Sequence, residues 1–156
     1  MRNKTLEGGC FCGAIRYQVS ATPAMVAYCH CRDCRRSGGS VVAVLAGFPR
    51  EGHALMKGDP RYHEDQHGIR RGFCGDCGTP LYYQNPNFPE NLYLHIGSFD
   101  EPEAVPPDRH TWLSQRVPWH SIDDSLTQYD ALSNNNQAGN TPPYRDPRTT
   151  LPGTRD

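Results

Sequence analysis

Three things are scarce in this sequence: long apolar runs, excess charge of one sign, and helical periodicity. A membrane-spanning helix needs roughly 18 or more consecutive apolar residues, and no such run is present. The first residues, Met1-Arg2-Asn3-Lys4-Thr5-Leu6-Glu7, lack the apolar stretch of a secretory signal. Sixteen basic residues against 17 acidic ones give a formal net charge of −1, so no global field draws the chain to nucleic acid or an anionic membrane. Only 36% of residues are hydrophobic, which limits the core of a 156-residue chain to that of one modest domain.

What is present points to short strands. Fifteen glycines and 14 prolines imply many turns. Ala14 to Ser20 alternates apolar and polar residues, as a half-buried strand does, and Asn91 to Ile96 repeats the pattern through Leu92, Leu94 and Ile96. Ser40 to Ala46 carries a β-branched apolar run that reads as a buried strand. Ile69 to Phe73 and Leu81 to Gln84 complete the strand candidates. One or two helical turns are expected around Asp33 to Ser37. The expectation is a mainly β domain over residues 1–132, followed by a flexible tail over 133–156. That tail has almost no aliphatic side chains to offset the entropy of ordering it, although Tyr144 and Leu151 could dock on a neighbour.

Seven cysteines fall in three clusters: Cys10-Phe11-Cys12, Cys29-His30-Cys31-Arg32-Asp33-Cys34, and Cys74-Gly75-Asp76-Cys77. Thiols one or two residues apart can converge on one metal ion, and an odd number cannot all pair as disulfides. In an extended segment Cys10 and Cys12 point the same way, and Cys74 to Gly78 has the composition of a zinc knuckle. Together they would form a closed four-thiolate site clamping the N-terminal strand to the second half of the chain. Their alternative is a pair of ordinary buried thiols at Cys10 and Cys12. A structural zinc contributes about 10–16 kcal/mol at neutral pH, a large aid to a small core. Reduced metal-binding thiols with no export signal suit the cytoplasm.

Cys29, Cys31 and Cys34 supply three ligands and leave one position open, unless His30 or His53 closes it. Arg32, Arg35 and Arg36 would favour thiolates there and attract an anionic ligand, or else form a solvated face. Sulfur ligands suit zinc or iron. His63-Glu64-Asp65-Gln66-His67 reads as a polar loop, Trp112 and Trp119 as core aromatics or a pocket lining, and Tyr82 and Tyr83 as opposite faces of one strand.

The chain resembles the glutathione-dependent formaldehyde-activating enzyme family, whose domain is shared with centromere protein V. The resemblance rests on Gly8 to Tyr17, Cys29 to Gly38 and Arg71 to Leu81, with weaker similarity in Leu94 to Ser98 and His110 to Trp119. It implies an Mss4-like, or β-tent, fold of short antiparallel sheets stapled by zinc. It also implies two zinc ions per chain, with Cys10, Cys12, Cys74 and Cys77 as the structural set and Cys29, Cys31 and Cys34 as the catalytic set. Glutathione or a similar small thiol is the implied co-substrate, and Arg32, Arg35 and Arg36 are candidates to contact it. The implied activity is that of a carbon–sulfur lyase or synthase acting on a thiol adduct, such as S-hydroxymethylglutathione formed from formaldehyde. A non-catalytic zinc-stabilised module that binds protein partners is the alternative. Neither nucleic acid nor membrane is an expected partner.

Overall fold

Alternation of side chains along short strands builds two sheets in the computed structural model, which describes residues 4–131. The proposed boundary at residue 132, the tail beyond it and the docking of Tyr144 or Leu151 lie outside the described residues. A small sheet joins β1 (Leu6–Gly9), β2 (Arg16–Val19) and β5 (His53–Lys57) in the order β1-β2-β5, with both pairings antiparallel. The large sheet adds β3 (Met25–Cys29), β4 (Ala43–Pro49), β6 (Arg61–Glu64), β7 (Arg70–Phe73), β8 (Pro80–Gln84), β9 (Asn91–His95), β10 (Arg109–Thr111) and β11 (Thr127–Gln128). Its order is β11-β10-β3-β4-β9-β8-β7-β6. A helix, α1 (Arg32–Gly38), follows β3.

The two faces of the large sheet have different roles. On β4, Ala46 and Phe48 enter the main core, where Val26, Leu92 and Leu94 from the neighbouring strands meet Tyr17 and Val19 of the small sheet. The intervening residues Ala43 and Leu45 turn to the opposite face, against Cys29, Cys34 and Trp112. Period-two geometry thus gives one sheet a dry core on one side and a second apolar surface on the other. Burying β4 on both faces accounts for its continuous apolar sequence.

Gly8 shows how closely the sheets are joined. A Cβ there would lie 2.4 Å from the Tyr17 hydroxyl and 2.5 Å from the Ser98 carbonyl oxygen. Tyr17 and Ser98 share a 2.6 Å hydrogen bond beneath it, so any side chain at position 8 would displace buried partners.

The expected mainly β class with minor helix holds, and the five sequence-read strands all appear with shifted ends. Two expectations change. The sheets are not wholly antiparallel, because β10 runs parallel to both β3 and β11. His63 and Glu64 do not belong to a loop, since they form the end of exposed β6, paired with β7. Among the described residues, no helix is long and apolar enough to cross a membrane.

Candidate metal centre and adjoining pocket

Two hairpin turns bring four thiols together. Cys10 and Cys12 lie between β1 and β2, where Gly13 (φ 76°) donates its N–H to the Cys10 carbonyl at 3.0 Å. Cys74 and Cys77 lie between β7 and β8, where Gly78 (φ 77°) donates to the Cys74 carbonyl at 2.9 Å. Positive φ at these two positions is why each turn uses glycine. The Cys10–Cys12 sulfurs are 3.5 Å apart and the Cys12–Cys74 sulfurs 3.8 Å. All four lie within 4.8 Å of one another. Tetrahedral bonds of about 2.3 Å to zinc place sulfurs roughly 3.8 Å apart, so the four fit such an ion. The Thr79 hydroxyl and then its backbone N–H favour the Cys77 thiolate, pulling that thiol down to about 6.

The second set is built by the end of a strand and the start of a helix. Cys29 ends β3, Cys31 caps α1, and Cys34 occupies the first turn. The Cys31 sulfur accepts the Cys34 backbone N–H at 3.3 Å and lies 3.4 Å from the Cys29 sulfur. Hydrogen bonds from the Cys29 and Cys34 thiols, then from backbone N–H groups, pull Cys31 down to about 3. Cys34 is held well above the usual thiol range by the same sharing of charge and by burial. These three sulfurs also lie within 4.8 Å of one another, a fit to one thiophilic ion.

Neither histidine closes this triad. The His30 ring turns the other way, with Nε2 2.9 Å from His110 Nδ1, and His110 Nε2 lies 3.0 Å from an Asp124 carboxylate oxygen. His53 Nε2 lies 3.2 Å from the Tyr82 hydroxyl. Among the described residues, the triad therefore gathers three ligands of the His, Cys, Asp and Glu types.

The arginines divide by role. Arg35 donates through Nε to the His30 carbonyl at 3.2 Å and through Nη2 to the Gln115 carbonyl at 3.3 Å, fixing the loop between Cys29 and Cys31. The Arg32 backbone N–H donates to Gln115 Oε1 at 2.9 Å, and Arg36 is exposed. Sequence reasoning passed over Arg71, whose guanidinium lies 5.5 Å from the Tyr83 ring centroid and donates to Asp65 at 3.2 Å.

A pocket of about 90 Å³ opens beside the triad. Met25, Ala27 and Cys29 from β3, Leu45 from β4, Tyr83 from β8 and Tyr93 from β9 reach it by strand alternation. Cys31, Cys34, Asn85, Phe88, Thr111 and Trp112 complete the wall. Tyr82 and Tyr83 do face opposite ways, the first into the core and the second into this pocket. Of the two roles expected for the tryptophans, Trp112 takes the pocket lining while packing beside the cysteines. Trp119 is 75% exposed and does neither.

His95 lines a neighbouring cavity with Gly38, Ser40 and Ser98. Burial, then the Arg71 charge, pushes its imidazole down to about 4. The unfolded chain, with an ordinary histidine near 6.5, therefore binds more protons between those values, and folding weakens as pH falls through that window. From pH 7 to 5 the loss at this residue is about 2 kcal/mol. Urea unfolding of wild type and His95→Gln should converge by that amount over the interval; parallel curves would show that His95 titrates normally.

The family profile described as glutathione-dependent formaldehyde-activating enzyme matches residues 5–115, which include all seven cysteines. The chain belongs to this family. A Halomonas elongata protein named "Putative glutathione-dependent formaldehyde-activating enzyme" is 30% identical over 129 residues, covering 76% of this chain and 81% of that relative. The crystal structure of a Rhodobacter sphaeroides protein superimposes with a TM-score of 0.52 at 19% identity, covering 79% of this chain and 98% of its own. That likeness concerns the fold alone.

Proposed function

We propose that this family member is a zinc-dependent carbon–sulfur lyase or synthase that forms and cleaves a thiol adduct of an aldehyde, with glutathione or a similar thiol as co-substrate. The observation that carries the reading is the triad Cys29, Cys31 and Cys34, three converging sulfurs that also line a pocket. A zinc ion held by them would keep a substrate thiol ionised at neutral pH and place its sulfur beside the aldehyde. In the synthetic direction a sulfur–carbon bond forms, the carbonyl π pair moves to oxygen, and that oxygen takes a proton. Cleavage reverses each change. Holding both reactants together removes much of the entropic barrier to the addition.

Tyr83 is suited to the proton at the carbonyl oxygen. Burial holds its phenol well above the usual range, keeping it neutral. Its oxygen accepts from Asn85 Nδ2 at 3.2 Å, which leaves the phenolic hydrogen to donate elsewhere. Cys10, Cys12, Cys74 and Cys77 would hold a second, structural zinc. Arg32, Arg35 and Arg36 are the candidates to meet a carboxylate of the co-substrate; Arg36 is exposed on α1, while Arg35 donates to backbone carbonyls. The cytoplasm supplies the reducing conditions that these thiols require.

The uncatalysed addition of thiol to aldehyde sets the background for the assay. The zinc-loaded chain should speed approach to equilibrium from both directions, and Tyr83→Phe should slow it about 100-fold or more, as expected for loss of an acid–base group. A wild-type rate equal to background would remove the enzymatic reading. A Tyr83→Phe rate equal to wild type would remove Tyr83 from it.

A further inference from the structure

The pocket beside the triad is more selective than a thiol site requires. Its walls are hydrocarbon and ring faces: Met25, Ala27, Leu45, Phe88, Tyr93 and Trp112. The polar groups among its lining are mostly satisfied within the protein. Asn85 donates to Tyr83 and accepts the Asn87 backbone N–H at 2.9 Å, and the Thr111 hydroxyl donates to the Tyr28 carbonyl at 3.4 Å. No Lys, Arg, Asp, Glu or His is among the lining residues, so a carboxylate or ammonium group entering the pocket would lose its water without meeting a counter-charge. The peptide portion of glutathione therefore belongs outside it, toward solvent.

The carbon and oxygen of a one-carbon aldehyde would leave part of the space unused. At roughly 30 Å³ per water-sized group, about 90 Å³ accommodates three or four non-hydrogen atoms. Resting on the metal–thiolate reading above, we infer that the aldehyde-derived part of the substrate is a short aliphatic unit of about three or four non-hydrogen atoms, its sulfur-bound carbon and oxygen included, which fills this pocket. The substrate class is the adduct of a thiol with a short aliphatic aldehyde, of which the formaldehyde adduct fills the pocket least. Cys29, Cys31 and Cys34 fix the sulfur end; Met25 and Leu45 contact the chain.

Simple alkanethiols test this, because their chain is also attached directly to sulfur. Binding of ethanethiol, propanethiol, butanethiol and hexanethiol to the zinc-loaded full chain would be measured by calorimetry, with 2-mercaptoethanol as the polar match for propanethiol. Each buried methylene contributes about 0.8 kcal/mol, so affinity should rise about fourfold per carbon up to butanethiol and level off by hexanethiol. Propanethiol should bind at least about tenfold more tightly than 2-mercaptoethanol. In Met25→Ala, which touches no ligand sulfur, the levelling should move to a longer chain. Equal affinities along the series, or tighter binding of 2-mercaptoethanol, would overturn the inference while leaving the metal–thiolate reading intact. Failure of every thiol, including glutathione, to bind would overturn that reading and the inference with it.

Discussion

Cys74→Ser should leave the chain without a cooperative thermal transition, and with less than one tightly bound zinc. Cys74 is 1% exposed and packs within the main core, so its sulfur contributes to packing as well as offering a ligand. Across the 3.8 Å gap to Cys12 it joins turns 62 residues apart, one from each sheet. A structural zinc is worth about 10–16 kcal/mol in comparable small domains, whereas whole domains are stable by only about 5–15 kcal/mol. Losing a zinc ion held there would therefore remove as much free energy as the fold has to spare. Serine adds a second penalty, because its buried hydroxyl needs a hydrogen-bond partner where the thiol needed none. Circular dichroism during heating, together with zinc counting by native mass spectrometry, would read the result. A melting temperature within a few degrees of wild type would show that the four thiols do not hold the sheets together.

Cys31→Ser should separate the two sites. Serine is among the best helix caps, so α1 keeps its first turn and the fold survives. On the two-zinc proposal, the triad reduced to Cys29 and Cys34 should no longer retain a metal, and zinc per chain should fall from two to one. Acceleration of adduct formation should fall at least about 100-fold, the upper end of what even outer-shell partners cost a metal site. The melting transition should remain single and shift far less than in Cys74→Ser. Two retained zinc ions, or unchanged turnover, would show that the reacting sulfur is held elsewhere.

The cysteines were legible in the sequence because ligand spacing within a turn is a local property. So were β2 and β9, whose alternation survives in the burial of Tyr17, Val19, Leu92 and Leu94. Strand β3 was not recognised, since Val26, Ala27 and Cys29 are buried on both faces and leave no period to detect. Strands β5 and β6 failed for the opposite reason: almost all their side chains are exposed. The three-residue β10 offered no pattern at all, and its parallel pairing depends wholly on tertiary contact. The pocket is a similar case, with walls drawn from β3, the start of α1, β4, β8, β9, β10 and the loops after β8 and β10. His30 could have been read more sharply. Flanked by Cys29 and Cys31 in extended backbone, it must point away from both, toward His110.

The distance in sequence between Cys12 and Cys74 also governs the order of events at the ribosome. The triad is complete once Cys34 has emerged, with little chain to close, whereas the four-thiol set must wait for Cys77 and the closure of a much longer loop. Under the two-zinc reading, a nascent chain thus meets its first ion with the ligands later used for chemistry. On one side Cys29 is flanked early by Ala43 of β4, but its other neighbour, Thr111 of β10, comes later still. On that reading, metal capture at the triad would precede the pairing of β10 beside it, and scarcity of zinc during synthesis should affect the staple before the triad.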